Sequence, residues 1–289
     1  MKIGITGASG FIATWLIPRL IDGGHECVAF SRSSSRLVTG CRETRVIGPE
    51  TTPDLGGLDA LVNLAGESIL GRWTSAKKQR IRNSRIQVMR QIVDAMAAST
   101  VRVLVSTSAS GIYGDRGDEL LPESAAAGRG FLADVCGEWE AEAMRARAFG
   151  ARVALPRIGF VVAPNGGAMD LIRPIFKLGL GGRLGGGEQW MPWVHVADVV
   201  GLVVHLLERD ALDGAFNATA PNPVRNADFT RAVATAVHRP AFFPVPSLAL
   251  RVVLGELAAI ALDSARVLPE RTLASGYVFQ FSQIADALR

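Results

Sequence analysis

Short apolar runs alternate with longer segments of helical periodicity through the first half of the chain. The runs are rich in Val, Ile and Leu, as in strands that are buried on both faces. They occupy residues 2–6, 26–30, 45–47, 60–64, 101–106 and 153–162, and helical patterns fill residues 11–22, 74–98 and 131–148. Strands separated by helices of this length form βαβ units, so the pattern predicts an α/β fold with a parallel sheet covered on both faces.

The second half has a different pattern. Residues 179–187 contain six glycines in nine positions and must form a loop. A helix is predicted over 196–208, a short strand over 215–218, and mostly helix from Asp228 onward. We therefore expect a Rossmann-like, doubly wound parallel sheet in residues 1–165, to which residues 196–222 return. Residues 166–195 and 223–289 would form a smaller, mostly helical C-terminal substrate lobe.

Composition and charge exclude several classes of protein. Apolar residues make up 48% of the 289 positions, which excludes a mostly disordered chain. The net charge of +4 is not gathered into a tail, so no nucleic-acid partner is expected. The cysteines Cys27, Cys41 and Cys136 include no CxxC pair, which argues against a disulfide framework or a metal site and favours a reducing cytoplasm.

One late apolar stretch, residues 245–262, raises the question of a membrane span. Arg251 and Glu256 interrupt it, so it is shorter than the roughly 18 uncharged residues that a span requires. It is interpreted as a buried helix. The sequence thus predicts a soluble, cytoplasmic protein without a membrane partner.

A glycine-rich turn follows the first predicted strand. Gly7 and Gly10 allow a tight turn that can approach a pyrophosphate closely, and Phe11 and Ile12 open the helix that follows. The unpaired N–H groups and the dipole at a helix start favour an anion. This placement predicts a dinucleotide-binding turn.

The end of the second strand indicates which dinucleotide binds. Ser31 and Arg32 stand where an NAD-binding protein would carry an acidic residue for the ribose 2′-hydroxyl. An arginine with small hydroxyl neighbours, here Ser31 and Ser33, suits the 2′-phosphate of NADP, and Arg36 could assist. NADP is the predicted cofactor.

Several motifs together resemble the extended short-chain dehydrogenase/reductases. They are TGASGFI, NLAG at 63–66, STSASGIYG at 106–114, GESILGRW, SRI at 84–86, FLADVCGEWE and PRIGFVVAPNGGAM, with further stretches up to residue 269. The set is similar to the atypical SDR39U1-like subgroup called epimerase family proteins, part of the NAD-dependent epimerase/dehydratase superfamily with a small C-terminal domain. The resemblance covers essentially the whole chain.

The resemblance implies further cofactor contacts. Leu64 and Ala65 would lie against the adenosine side, Arg80 and Arg85 would reach the cofactor from the long helix, and Val161 would lie near the nicotinamide. Alternatively, Arg80 and Arg85 belong to a solvated basic face with Lys77, Lys78, Arg82 and Arg90. Position 13 is Ala, where relatives usually have a third glycine.

The superfamily's catalytic pair is missing from the sequence. A Tyr as general acid/base, with a Lys four residues later on the same helical face, would be expected. The two tyrosines, Tyr113 and Tyr277, are followed at that spacing by Gly and Phe. The predicted helix offers Leu132 and Cys136 at the two positions, or Phe131 and Val135 in the neighbouring register. The standard ketoreductase mechanism is therefore not available.

Other residues could take over the chemistry. Ser108 and Ser110 lie where the superfamily keeps the hydroxyl that binds a substrate carbonyl, and Tyr113 could donate a proton there or line the pocket. Ser108 and Tyr113 are the predicted catalytic residues. Three further predictions each leave two alternatives. Cys136 is either a reactive thiol or an inert buried cysteine, and His195 with Asp198 is either a His–Asp pair at the substrate cleft or a structural cap of the following helix. Glu67 contacts either the ribose or substrate, or it lies on the surface.

These features predict an NADP(H)-binding oxidoreductase or epimerase-like enzyme for an unidentified small molecule. The alternative is a non-catalytic, NADPH-binding regulatory or redox-sensing protein, with a link to cell division that some relatives' names suggest. Residues 181–190 are expected to form a flap over the cleft. By analogy with extended relatives, a homodimer would form through helices 74–98 and 131–148.

Overall fold

A computed structural model of the chain describes residues 1–32, 37–48 and 51–289. The strands are β1 Lys2–Thr6, β2 Glu26–Ser31, β3 Glu43–Val46, β4 Ala60–Asn63, β5 Val103–Ser106, β6 Ser108–Ala109, β7 Leu120–Leu121, β8 Arg152–Ile158, β9 Phe160–Val162, β10 Trp190–Met191, β11 Trp193–His195, β12 Gly214–Ala218, β13 Val224–Arg225 and β14 Arg266–Val267. The α-helices are α1 Phe11–Asp22, α2 Ser75–Ala97, α3 Phe131–Met144, α4 Met169–Lys177, α5 Val196–Glu208, α6 Asn226–Ala236, α7 Ser247–Leu254, α8 Ala259–Leu262, α9 Glu270–Ala274 and α10 Ile284–Ala287. Short 3₁₀ turns cover Ser110–Tyr113, Arg145–Phe149 and Gly255–Ala258.

A parallel sheet forms the centre of the molecule. Its strands follow the order β3-β2-β1-β4-β5-β8-β12, and β6 extends the pairing along β8. Helices α1 and α5 pack on one face and α2 and α3 on the other, so the strands are buried from both sides. This confirms the predicted Rossmann-like, doubly wound fold.

The sheet order sets the place of a site. The chain order reverses between β1 and β4, which pair in register at Thr6 and Asn63. In doubly wound sheets the loops after such a pair diverge and leave a crevice at the carboxyl ends of the strands. The glycine-rich turn after β1 lies at this crevice.

The predicted strand over 153–162 is broken in the structure into β8 and β9 at Gly159. A Cβ at this position would collide with the carbonyl oxygen of Pro192, and the next residue, Phe160, donates its N–H to the same oxygen at 2.6 Å. Strand β9 leaves the main sheet and pairs with β11 instead. The close approach of another backbone explains both the glycine and the break.

The C-terminal lobe packs around a separate core from α4, α6 and α10. Its later part crosses back to the N-terminal end of α2, where Leu257 packs with Trp73 and Ile81, and Lys78 pairs with Glu256. Strand β12 and helix α5 lie outside this lobe: β12 pairs with β8 in the central sheet, and α5 packs on that sheet.

The prediction of one buried helix over residues 245–262 is wrong. Helix α7 ends at Leu254, because Gly255 takes a positive φ of 59°, and a 3₁₀ turn and α8 follow. None of the α7 residues is buried. Among the described residues, no helix is both long and apolar enough to cross a membrane.

Candidate functional site

The turn after β1 is shaped by two glycines. Gly7 has a φ of +66°, and a Cβ there would lie 2.7 Å from the carbonyl carbon and oxygen of Leu64. The N–H of Gly10 donates to the carbonyl oxygen of Gly7 at 2.8 Å. The loop is thus pressed against the end of β4, and a side chain at residue 7 has no room.

The start of α1 is open to a ligand. Gly10 is the N-cap residue, and no side chain caps the helix that Phe11 and Ile12 begin. The N–H groups of a first helical turn lack intrahelical acceptors, so this end can receive an anion. Gly166 and Gly167 lie against the ring of Phe11, where Cβ atoms would approach it to 2.5 and 3.0 Å. The sequence did not predict this contact of the 166–167 loop.

A buried polar chain links the carboxyl ends of three strands. Thr6 donates to the side-chain oxygen of Asn63 at 2.6 Å, and the Asn63 amide donates to Ser106 at 3.1 Å. The same Asn63 oxygen accepts the N–H of Ala65 at 3.3 Å. These bonds fix the half-buried Leu64–Ala65 turn beside Gly7, where the adenosine side of a dinucleotide is predicted to lie.

Positively charged side chains lie around Glu67, in the loop after β4 at the carboxyl ends of the strands. Its carboxylate lies 2.8 Å from Lys77 Nζ and 3.9 Å from Arg80 Nε. The hydrogen bond from Lys77 lowers the pKa of Glu67, and the charges of Lys77, Arg80 and Arg32 act in the same direction. Arg32 is exposed at the end of β2, next to the half-buried Ser31. Three cations thus surround one carboxylate, which leaves this edge positive.

Two residues that were predicted to assist at this edge, Ser33 and Arg36, lie outside the described residues. Arg80 has a side chain that is 61% exposed, as a solvated helix face would give. Glu67 is held by its ion pair with Lys77, so the structure gives it a partner within the protein.

Arg85 differs from its basic neighbours because it points inward. Its Nη1 donates to the carbonyl oxygens of Glu67 and Ile81, each at 3.1 Å, and its guanidinium lies 5.4 Å from the centre of the Trp139 ring. Burial lowers the pKa of Arg85. The alternative of a solvated face therefore does not apply to Arg85, which anchors the turn after β4.

Val161 lies in the short strand β9, half-buried and paired in register with Val194. Because β9 continues from β8 past the break at Gly159, Val161 stands beyond the carboxyl end of the main sheet. This is the side of the sheet on which the glycine-rich turn lies.

The two serines of the predicted catalytic segment have different surroundings. Ser108 donates to Glu140 at 2.6 Å, and Glu140 in turn accepts two bonds from Arg157, at 2.9 and 2.8 Å. Burial opposes the charge of Arg157, but Glu140 raises the pKa of the guanidinium. Ser110 is 8% exposed, and its side-chain hydroxyl makes no hydrogen bond to any residue that the structure describes. Of the two serines, Ser110 is therefore the one whose hydroxyl could bond a substrate.

Tyr113 is fully buried. Its hydroxyl donates to the Asn217 side-chain oxygen at 2.7 Å and accepts from Arg157 Nη1 at 2.9 Å. Burial raises the pKa of Tyr113, and the nearby Arg157 opposes the rise. The proton of Tyr113 is therefore held inside the protein, and its catalytic role stays a prediction.

Helix α3 presents no acid or cation at the two positions of the missing pair. Gly111 approaches Leu132, so that a Cβ at Gly111 would lie 3.4 Å from Leu132 Cβ. Cys136 is 4% exposed, and burial raises the pKa of its thiol to about 11, with Glu140 adding to the rise and Arg85 opposing it. Cys136 is thus a neutral, buried thiol, in line with the inert alternative.

His195 and Asp198 do not form a pair. His195 is the N-cap of α5 and accepts the N–H of Ala197 through Nδ1 at 3.2 Å. Asp198 accepts the N–H groups of Gln280 and Phe281 at 2.7 and 3.0 Å. The alternative of a helix cap is correct for His195, and Asp198 ties the C-terminal segment to α5.

The segment predicted as a flap is anchored to its surroundings. The N–H of Leu184 donates to Asn226 at 2.8 Å, and Gln189 donates to the Ala261 carbonyl at 2.8 Å. Trp190 lies between the guanidinium groups of Arg225 and Arg266, each 4.5 Å from the ring centre. Among the described residues no cluster of His, Cys, Asp and Glu could hold a metal ion.

Comparisons with known proteins agree with this geometry. The model of the NAD dependent epimerase/dehydratase family matches residues 3–218. The chain belongs to this family. A domain of unknown function (DUF1731) matches residues 245–289, which confirms the predicted epimerase family with a small C-terminal domain.

Individual relatives match over the whole chain. It is 38% identical to the Arabidopsis thaliana epimerase family protein SDR39U1 homolog, chloroplastic, covering 100% of this chain and 86% of the relative. It is 34% identical to the Bacillus subtilis epimerase family protein YfhF, covering 100% and 97%. The crystal structure of the human epimerase family protein SDR39U1 with NADPH is 31% identical, with a TM-score of 0.91, covering 100% of this chain and 98% of that one.

Proposed function

We propose that this epimerase family protein binds NADP(H) and acts as an oxidoreductase or epimerase-like enzyme on a small molecule. The observation that carries the proposal is the cradle between β1 and β4, where Gly7 lies against the Leu64 carbonyl and the start of α1 is uncapped. A phosphate group at this turn would be met by backbone N–H groups. The NADPH in the human relative supports the same assignment.

The residues around this cradle fit the phosphorylated form of the cofactor. Arg32 and Arg80 act on the same carboxylate, that of Glu67, together with Lys77. Among the described residues, one carboxylate among three cations leaves two positive charges without compensation, and a 2′-phosphate would supply the missing negative charge. Ser31 and Arg32 would hold this phosphate, Gly7 to Ile12 the pyrophosphate, and Leu64 with Ala65 the adenosine side.

Bound NADPH supplies a hydride for the reduction of a carbonyl carbon, and the carbonyl oxygen then needs one proton to become an alcohol. The hydroxyl of Ser110 is the group we assign to that oxygen, because Ser108 is bonded to Glu140 and Tyr113 to Asn217. The proton would come from water, through Ser110. This assignment gives the carbonyl-binding role to Ser110 instead of Ser108, and it gives the proton-donating role predicted for Tyr113 to water.

Arg85 supplies the positive charge that the missing lysine would provide. Its guanidinium acts electrostatically on Cys136, which stands at the lysine position of the superfamily helix in one of the two predicted registers. The hydrogen bonds to the Glu67 and Ile81 carbonyls fix it there. We infer that Arg85 orients the cofactor through this fixed charge.

The test is a screen of the NADPH-loaded protein against aldehydes, ketones, sugars and quinones. Loss of the absorbance of reduced nicotinamide reports hydride transfer. With a substrate in hand, Ser110→Ala is expected to slow turnover about 100-fold without changing the Kd for NADPH, as loss of one hydrogen-bond donor to a developing alkoxide does. Ser108→Ala is the matched control, and an equal loss in both variants would contradict the role of Ser110.

A second candidate function rests on Leu132 and Cys136, which leave the two positions of the superfamily's catalytic pair on α3 without an acid or a base. In that case the chain is a non-catalytic protein whose conformation reports NADPH. NADPH would then protect the C-terminal lobe against limited proteolysis and would never be oxidised across the panel. Turnover with any member of the panel would exclude this alternative.

A further inference from the structure

An exposed apolar surface lies on the C-terminal lobe. Six large apolar residues there are between 70% and 80% exposed, and we call them the apolar face: Leu178, Phe242, Phe243, Leu248, Val252 and Val253. Soluble proteins rarely expose neighbouring apolar residues to this extent without a partner. We therefore expect a partner to bind the apolar face.

The segments that carry the apolar face run side by side. The N–H of Val245 donates to the Arg183 carbonyl at 2.8 Å, and the N–H of Gly185 donates to the Val245 carbonyl at 2.9 Å. Arg239 Nε donates to the Lys177 carbonyl at 3.2 Å, which ties the end of α4 to the segment after α6. The exposed residues thus belong to one continuous part of the lobe.

Helix α7 is half-buried on one side and exposed on the other. Only Leu250 and Leu254 are half-buried, and they lie one turn apart on one side of the helix. Leu248 and Val252 are also one turn apart, and they are 73% and 77% exposed. Leu254 packs toward Trp73 and Leu257, so the helix is anchored on its inner side.

The same segments carry cations and no acids. Residues 171–187 and 229–255 contain six Lys or Arg residues and neither Asp nor Glu: Arg173, Lys177, Arg183, Arg231, Arg239 and Arg251. The chain as a whole is nearly balanced, with 31 basic and 27 acidic residues. Within these two ranges every charged side chain is therefore positive, and the acids Asp170, Glu188, Asp228 and Glu256 stand directly outside them.

A basic hollow of about 830 Å³ opens beside Phe242. Arg183, Arg231, His238 and Arg239 contribute to its lining. Arg231 is paired with Asp228 at 2.9 Å, whereas Arg183 has no carboxylate partner among the described residues. The hollow is large enough and positive enough for a phosphate headgroup.

We propose that the apolar face and the basic hollow dock this protein on a bilayer surface that is rich in anionic phospholipid. The cations would attract the anionic surface, a headgroup phosphate would occupy the hollow, and Phe242 and Phe243 would enter the headgroup region, as in other interfacial proteins. The contact is peripheral, since no helix in the described parts could span a bilayer. This revises the expectation of no membrane partner and does not depend on the proposed reaction.

The test is cosedimentation of the full chain with two kinds of vesicle, pure phosphatidylcholine and an equimolar mixture with phosphatidylglycerol. Binding is expected only with phosphatidylglycerol, and it should weaken at high salt because the attraction is electrostatic. The double variant Phe242→Ser/Phe243→Ser and the variant Arg183→Glu should each lower the bound fraction about tenfold. Val278→Ser and Arg289→Glu are the matched controls, since Val278 is 81% exposed and the Arg289 side chain 80% exposed elsewhere on the chain.

Folding of each variant is checked by circular dichroism and by its unchanged affinity for NADPH. Equal binding to both kinds of vesicle, no binding to either, or full binding by the variants would overturn the proposal. So would light scattering that shows a dimer of the wild type and a monomer of the double variant, because the apolar face would then be an interface between two copies.

Discussion

The hydroxyl of Tyr113 donates a hydrogen bond to the side-chain oxygen of Asn217, 2.7 Å away. The amide of Asn217 in turn donates to the Leu268 carbonyl at 2.8 Å. Because Asn217 lies in β12 and Leu268 follows β14, Tyr113 connects the sheet with the C-terminal segment. The tyrosine that sequence reasoning assigns to proton transfer has a structural task in this network.

Replacement of Tyr113 by Phe is expected to lower the free energy of unfolding by about 1–3 kcal/mol, because it leaves the Asn217 oxygen and an Arg157 donor unpaired in the interior. Urea unfolding measures this change, and a titration should show an unchanged Kd for NADPH. If stability stays the same while turnover is lost, Tyr113 is a catalytic acid after all.

The cofactor turn depends on the absence of a side chain at residue 7. Gly7→Ala should abolish NADPH binding, since its Cβ would lie 2.7 Å from the Leu64 carbonyl. Gly57→Ala is the matched control, because Gly57 has a similar φ of +70° but no atom within 4 Å of the added Cβ. Both variants carry a backbone cost of about 1 kcal/mol, so only the steric contact differs. Equal NADPH affinities in a calorimetric titration would contradict this account of the turn.

Arg32 is expected to select the phosphorylated cofactor. Arg32→Ala should weaken NADPH binding about tenfold or more and leave NADH binding unchanged, because only NADPH carries the 2′-phosphate. Arg42→Ala serves as the control, since Arg42 precedes β3 and therefore lies at the amino ends of the parallel strands, whereas Arg32 lies at their carboxyl ends. An equal loss for both nucleotides in Arg32→Ala would show that Arg32 does not contact this phosphate.

Buried histidines should make the fold sensitive to acid. Burial lowers the pKa of His195 and also that of His205, so below about pH 6.5 the unfolded chain binds protons that the folded chain does not. The free energy of unfolding should therefore fall as the pH drops from about 7 to about 5.

His195→Asn isolates one of these groups, because Asn is also a good N-cap and does not titrate. The variant should lose less stability than the wild type over this pH range in urea unfolding, because one group with a lowered pKa has been removed. An identical pH dependence in the two proteins would show that His195 does not contribute.

Much of the fold follows from the sequence because buried strands and amphipathic helices have different periods. Helix α2 begins after Thr74, the first residue of the predicted helix 74–98, whose side chain accepts the N–H of Lys77 at 3.2 Å. The break at Gly159 was not predictable, because it results from the Pro192 backbone in a distant segment. The exposed helix α7 was misjudged for a related reason: an apolar run shows hydrophobicity but not what covers it.

The residues of the candidate site also fall into two groups: those that local sequence predicts and those that depend on contacts with distant segments. Gly7, Gly10 and Arg32 could be predicted from the sequence because local turn geometry and charge define the task expected of them. The choice between Ser108 and Ser110 depends on Glu140, which lies 32 residues from Ser108 and accepts its hydroxyl. Sequence spacing alone does not predict this contact. It also does not predict that the Arg85 side chain is buried and bonded to the carbonyl oxygens of Glu67 and Ile81.

The most direct test of the central claim is a fluorescence titration of the purified protein with NADPH and, separately, with NADH. We predict tight binding of NADPH and binding of NADH that is weaker by a factor of about ten or more, since the positive edge around Arg32 has a phosphate to bind only in NADPH. Equal affinities would contradict the role of Arg32, and absence of binding by both nucleotides would contradict the proposed function itself.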